Sequence, residues 1–177
     1  IPKNYIEPKN ACVIGNQKLD KVEFAIIGDS HASTLAESID KKLKKINKSA
    51  YLFTINGCPI SSELYNFKDN RFECIRYYKE LKNFLSLNHS IKYLILHTRW
   101  GFYVSGKRFD NKEGGKEDGK NTIFINEEKD LILNEKNREE LVIEKNINFI
   151  KNLPKNKKII IITAVPEVGF NVPDTMT

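Results

Sequence analysis

Residues 28–31, Gly-Asp-Ser-His, set a carboxylate, a hydroxyl and an imidazole directly after the apolar run Phe24-Ala25-Ile26-Ile27. Ser30 is the group that could do covalent chemistry. If a strand ends near Gly28 and a helix starts near Ser30, the unpaired N–H groups of the helix start face the space in front of the hydroxyl. An oxyanion formed when that hydroxyl attacks an ester carbonyl is stabilised in such a space. Gly28 lets the chain turn sharply, and Asp29 is placed to hold neighbouring loops through their backbone N–H groups. The bland alternative stays open: Asp29 or Ser30 is simply an N-cap.

Three further stretches carry candidate groups. Gly57, in Asn56-Gly57-Cys58-Pro59, either presents a bare N–H to the same pocket or only turns the chain. In His97-Thr98-Arg99-Trp100, Arg99 suits a clamp on a substrate oxygen. Trp100 either stacks on a sugar ring or caps the core. The stretch AVPEVGFNVP (164–173) frames a site or merely turns the chain. His31 is beside Ser30 but points elsewhere on the helix, so it reads as a substrate contact rather than a base. His89 precedes a strand, which leaves His97 as the least implausible base of the three.

The elements that must position these groups alternate in kind. Residues 22–27, 50–55, 93–98 and 158–165 read as buried strands, the last as a fourth central strand. Leu35, Ile39, Leu43 and Ile46 mark one face of a helix starting at His31. Phe72, Ile75, Tyr78, Leu81 and Leu85 mark a second. A third runs from about Arg138 to Leu153, with Ile143, Ile147 and Ile150 facing inward. Residues 1–20, with Pro2, Pro8 and Gly15, read as an irregular segment at the domain edge. The charged, glycine-rich stretch 105–121 reads as a mobile loop, and TIFI and LILN after it as a hairpin, together an insertion at about 105–134. That order is the grammar of an α/β domain with a central parallel sheet, in which function gathers at the carboxyl ends of the strands.

The totals narrow the class. The chain has 177 residues, 40% of them hydrophobic, enough for one domain spanning 1–177 with a real core. Its net charge of +6 comes mostly from lysines that alternate with Asn, Asp and Glu. Such a pattern, including KKLKKINK (41–48), describes a solvated helix face rather than a nucleic-acid surface. No run is long enough to span a membrane and no signal-peptide pattern occurs, so the chain reads as an excised or processed segment. Cys12, Cys58 and Cys74 lack zinc-ligand spacing, no ligand cluster suggests a metal, and no G-x-G-x-x-G suggests a nucleotide cofactor. Cys58 and Cys74 flank a loop of suitable length for a disulfide, or are two unpaired thiols. Cys12 then pairs outside the segment or stays free.

Gly28-Asp29-Ser30-His31-Ala32 after a first strand resembles the block I signature of the SGNH (GDSL-like) hydrolase superfamily. With NGCPI after the second strand, a later Cys74, a strand ending in Arg99-Trp100, and VPEVGFNVP, residues 20–175 look like the SGNH domain fused to membrane acyltransferase-3 proteins. Those proteins O-acetylate bacterial surface polysaccharides. The resemblance implies a flavodoxin-like three-layer α/β sandwich, Ser30 as nucleophile and Gly57 as an oxyanion glycine. It further implies a glycan acceptor, an upstream membrane acyltransferase domain supplying the acetyl donor, no cofactor in this domain, and a periplasmic site tethered to the inner membrane. Two family features are missing from the sequence. His97-Thr98-Arg99-Trp100 stands where block III supplies an asparagine, and no D-x-x-H occurs in these residues. A serine needs a base to act as a nucleophile, so the Asp–His pair is expected beyond residue 177. Three functions share these residues: acetyl transfer to a polysaccharide, hydrolysis by a carbohydrate esterase, and glycan binding without catalysis.

Overall fold

A computed structural model describes residues 7–66, 72–110, 112, 117, 124–126, 131–133 and 137–163. In chain order its strands are β1 (Cys12–Gly15), β2 (Phe24–Gly28), β3 (Ser49–Thr54), β4 (Leu64–Asn66), β5 (Tyr93–His97), β6 (Phe124–Asn126), β7 (Leu131–Leu133) and β8 (Lys158–Ile161). Its helices are α1 (Ser30–Thr34), α2 (Ala36–Lys45), α3 (Phe72–Leu87), α4 (Trp100–Ser105) and α5 (Arg138–Lys151).

Five strands form the main sheet in the order β1-β3-β2-β5-β8. All neighbours are parallel except β1, which runs antiparallel to β3. Central strands must be apolar on both faces, and β2 shows why its sequence is nearly continuous in apolar character. Ala25 and Ile27 point to one face, where Phe53, Leu94 and Leu96 join Ile75, Tyr78, Leu81 and Leu85 of α3 and Phe149 of α5. Ile26 points to the other, with Ala50, Ala32 of α1 and Leu43 of α2. Helices therefore cover both faces, giving an α/β fold consistent with a three-layer sandwich. Each fully buried Ile or Leu contributes about 1.5–3 kcal/mol, so the two-faced central strands are the firmest place from which to hang a site.

Register decides which residues meet. Gly28 aligns with Thr54 of β3 and with His97 of β5, so the chain leaves three adjacent strands at one level. The turn after β3 is fastened by a disulfide between Cys58 and Cys74, whose Cα atoms are 5.5 Å apart. That bond ties the Gly57 turn to α3. Cys12, exposed on β1, is a free thiol.

A second, three-stranded antiparallel sheet has the order β4-β6-β7. Leu64 of β4, Tyr103 of α4 and Val142 of α5 share a small core. Lys145 of α5, nearly buried, meets Glu63 at 2.6 Å. Among the described residues, no helix is long and apolar enough to cross a membrane.

Several expectations need correction. Residues 12–15 are not irregular but an edge strand, so the sheet is mixed; four residues is the shortest run in which alternation is legible. The helix expected from His31 is two helices, α1 and α2, meeting at Leu35, and Ile46 lies beyond the second, half exposed. Among the described residues β8 is an edge strand, exposed along its length, rather than a central one. As a consequence Ile143 and Ile147 are 44% and 42% exposed instead of buried, and Val142 and Phe149 take the inward positions. β4 carries too few apolar residues to announce itself. The loop expectation over 105–121 falls largely outside the described residues, as do residues 164–173.

Candidate active site

The turn after β2 is built around a glycine that nothing else can replace. A Cβ at Gly28 would stand 1.7 Å from the His97 carbonyl oxygen and 2.8 Å from Ala32 Cβ. Only the bare backbone lets β2, β5 and α1 converge at this point. Asp29 follows in extended conformation, φ −110° and ψ −153°, as the N-cap of α1. Its carboxylate is 1% exposed and accepts three hydrogen bonds. The N–H of His31 donates to Oδ1 at 2.9 Å. The N–H of Arg99 donates to Oδ2 at 3.2 Å, and the Tyr103 hydroxyl to the same oxygen at 2.7 Å. One side chain thus fixes the start of α1 and the start of α4 together. Burial raises the Tyr103 hydroxyl well above its ordinary pKa, and the Asp29 charge adds to this, so Tyr103 stays protonated and donates.

Ser30, the first residue of α1, is exposed at the carboxyl end of the central strand. Among the described residues its hydroxyl has no hydrogen-bond partner. Gly57 has a φ of 72°, in the left-handed region that favours glycine. The Ile55 N–H donates to the Gly28 carbonyl at 3.0 Å, which draws the Asn56-Gly57 turn to the same sheet end as Ser30.

The other candidates take different positions. His31 is partly buried, and its ring lies edge-on to that of His97, with centroids 6.3 Å apart. His97 is buried, with Nδ1 3.3 Å from the Ile162 carbonyl oxygen. The Trp100 indole N–H donates to that same carbonyl at 2.9 Å. Its ring packs against the main core and borders an apolar groove of about 330 Å³ that Ile143, Ile147 and Ile161 also line. The guanidinium of Arg99 pairs with Glu117 and lies 4.7 Å from the Phe102 ring centroid. Arg108 reaches the same carboxylate at 2.5 Å and the same ring at 4.8 Å. Burial pushes the Glu117 carboxyl up, but the two guanidiniums outweigh it and bring it to about 2. Among the described residues, no group of three or more His, Cys, Asp or Glu is placed to hold a metal ion.

Two residues of this neighbourhood escape sequence reading. Tyr103 lies four residues after Arg99, a helical step that brings its hydroxyl back to the Asp29 carboxylate; a short helix after Arg99 would have pointed to it. Glu117 is one of several acids among lysines and glycines, and nothing local marks it out.

The described geometry therefore joins an exposed serine, a glycine in the left-handed region and a buried capping aspartate at one sheet end. A search of the curated proteins finds no match to the chain. A family model described as "SGNH domain (fused to AT3 domains)" matches residues 2–177. With that match across nearly its whole length, and with Gly28-Asp29-Ser30-His31 at the turn after the central strand, the chain belongs to the SGNH domain family found fused to AT3 domains.

Proposed function

We propose that this domain moves an acetyl group, by way of an ester on Ser30, to a hydroxyl of a bacterial surface polysaccharide. The observation that carries the reading is the exposed Ser30 hydroxyl on the first residue of α1, at the carboxyl end of the central strand. Its Oγ attacks the acetyl carbonyl carbon of the donor, giving up its proton to a base, which passes that proton to the donor's leaving group as it departs. The backbone N–H groups of Ser30 and Gly57 stabilise the oxyanion of that step. A sugar hydroxyl then attacks the Ser30 ester; its proton is taken up by the base and returned to Ser30 Oγ as the ester bond breaks. Neither His97, buried against the Ile162 carbonyl, nor His89, which precedes β5 at the opposite end of the sheet, is that base.

Fusion to acyltransferase-3 domains in this family favours transfer over hydrolysis, because a membrane partner domain is the natural source of the acyl group. On this reading the domain works at the periplasmic face, tethered through that partner. The test is an assay of the full-length protein with an acetyl donor and an oligosaccharide. Acetylated sugar, lost in Ser30→Ala, is expected. Free acetate alone would replace transfer with esterase action, and no Ser30-dependent turnover of either kind would leave only glycan binding.

A further inference from the structure

We propose that the end of the main sheet opposite Ser30 is a docking face for an anionic phospholipid surface, built from lysines on four adjoining segments and from the exposed side chains of Ile46 and Leu87. The inference goes beyond the chemistry of Ser30 and does not depend on it.

Topology gathers the charge. β2, β3, β5 and β8 run parallel, so the segments that lead into them, 16–23, 45–48, 87–92 and 151–158, all lie at one end. β1 is antiparallel, with Gly15 opposite Ser49, and delivers the first of these segments to that same end. Backbone bonds stitch the segments together. The Asn16 N–H donates to the Lys48 carbonyl at 2.9 Å, the Lys92 N–H to the Glu23 carbonyl at 2.8 Å, and the Lys158 N–H to the Lys92 carbonyl at 2.8 Å. Buried Lys157 adds two more ties, its Nζ donating to the carbonyls of Asn88 and Ile91 at 2.7 Å each. Charges scattered along the sequence thus become one firm patch.

The patch is far from neutral. The four segments hold nine lysines and, as acids, Asp20 and Glu23, so this end exceeds the net charge of +6 of the whole chain. Glu23 is shared between Lys48 and Lys92. Lys18, Lys21, Lys45, Lys151, Lys155 and Lys158 are exposed and have no carboxylate partner among the described residues. A lysine at a helix C-terminus complements the helix dipole, which accounts for Lys45 and Lys151 at the ends of α2 and α5. It does not account for Lys18, Lys21, Lys155 or Lys158.

Two apolar side chains select a lipid surface as the partner. Ile46, 52% exposed, follows α2, and Leu87, 78% exposed, ends α3, so both belong to the lysine-bearing end. Apolar side chains among lysines suit a membrane interface, where the first enter the headgroup–acyl boundary and the second meet anionic headgroups. Lysine is a hydrated point charge without the guanidinium fork, which fits a diffuse layer of phosphates better than one carboxylate. An acidic polysaccharide would satisfy the lysines and leave Ile46 and Leu87 in water. Ser30 stands at the far end, about 20 Å away at the strand rise of roughly 3.3 Å per residue along β2. Docking here therefore turns the nucleophile toward the aqueous side.

The test places an environment-sensitive fluorescent amino acid at position 46, 87 or 30 of the full-length protein. Each protein is reconstituted with vesicles of phosphatidylcholine, or of phosphatidylcholine and phosphatidylglycerol, that carry a brominated lipid as quencher. Quenching at 46 and at 87 is expected in the phosphatidylglycerol vesicles, with far less in phosphatidylcholine and none at 30. Each lysine at an anionic surface favours contact about fivefold, so Lys18→Gln, Lys21→Gln and Lys155→Gln together should lower the docked-to-free ratio about 100-fold and remove the quenching. All three side chains are exposed, so the fold tolerates the change, and position 46 serves if the probe at 87 disturbs α3. No quenching at 46 and 87, equal quenching in both vesicles, quenching at 30 instead, or a triple variant that matches its parent would overturn the face. So would probes that respond to a soluble acidic polysaccharide and not to phosphatidylglycerol. Failure of Ser30 to form an ester shows in covalent labelling and leaves this result standing.

Discussion

Replacing Asp29 with Asn keeps the shape of a buried side chain and removes one of its acceptors, so its effect follows from the three hydrogen bonds that reach it. An amide has one oxygen, and the carboxylate uses two: Oδ1 for the His31 N–H, Oδ2 for the Arg99 N–H and the Tyr103 hydroxyl. If the amide oxygen faces His31, its NH2 meets the Arg99 N–H, donor against donor. If the amide turns round, the same conflict falls on His31. The Tyr103 hydroxyl can rotate to accept; a backbone N–H cannot. One charge-assisted bond is lost, worth about 1.5–3 kcal/mol, and one buried donor is left unmatched at about 1–3 kcal/mol. Relief from burying a charge offsets part of this, leaving a loss of about 2–4 kcal/mol. With a urea slope of about 2 kcal/mol/M, the unfolding midpoint should drop by about 1–2 M. The start of α1 also loses its anchor, so the amide beside Ser30 is no longer aimed; removal of one such donor costs about 100-fold or more in comparable sites. The assay is urea unfolding together with the rate of fluorophosphonate labelling of Ser30 in the full-length protein. A midpoint and a labelling rate both equal to those of the parent would refute the assignment of Asp29 as the organiser of this turn.

Gly28→Ala should cost more than about 3 kcal/mol and suppress labelling, because the added methyl meets a backbone carbonyl at 1.7 Å that no rotamer can move; a loss under about 1 kcal/mol in urea unfolding would contradict the packing argument. Removing the Cys58–Cys74 bridge by a double alanine substitution should lower stability by about 3 kcal/mol, the value for a closed loop of about this length. Equal midpoints with and without the bridge would deny it a structural role. Glu117 has its carboxyl depressed from 4.5 to about 2, so its ion pairs stabilise the fold fully above pH 4.5 and lose that contribution as pH falls toward 2. The Glu117→Gln protein should accordingly show a shallower stability loss across that window than the parent, and parallel acid curves would speak against the pairing.

What the sequence made legible follows burial. β2, β3 and β5 are apolar on both faces, and each stood out as an uninterrupted run; α3 announced itself because Ile75, Tyr78, Leu81 and Leu85 all reach the core. The edges did not, since an edge strand such as β1 needs fewer apolar residues and β8 carries an apolar run without being enclosed. Periodicity likewise misassigned Ile143 and Ile147, because it reports which residues share a helix face and not whether a neighbour covers that face. Within the site, Ser30 and Asp29 were readable from a strand meeting a helix. The partners that hold them were not: Tyr103 joins Asp29 across 74 residues, and Glu117 joins Arg99 from inside a stretch with no apolar pattern. Long-range polar contacts depend on register, and register is set by the whole sheet.

The central claim concerns one hydroxyl, and a fluorophosphonate reports on it directly. The folded full-length protein should take up one label, mapped by mass spectrometry to Ser30, with none in Ser30→Ala. A folded protein that takes no label, or a Ser30→Ala protein labelled as fast as its parent, would contradict the account.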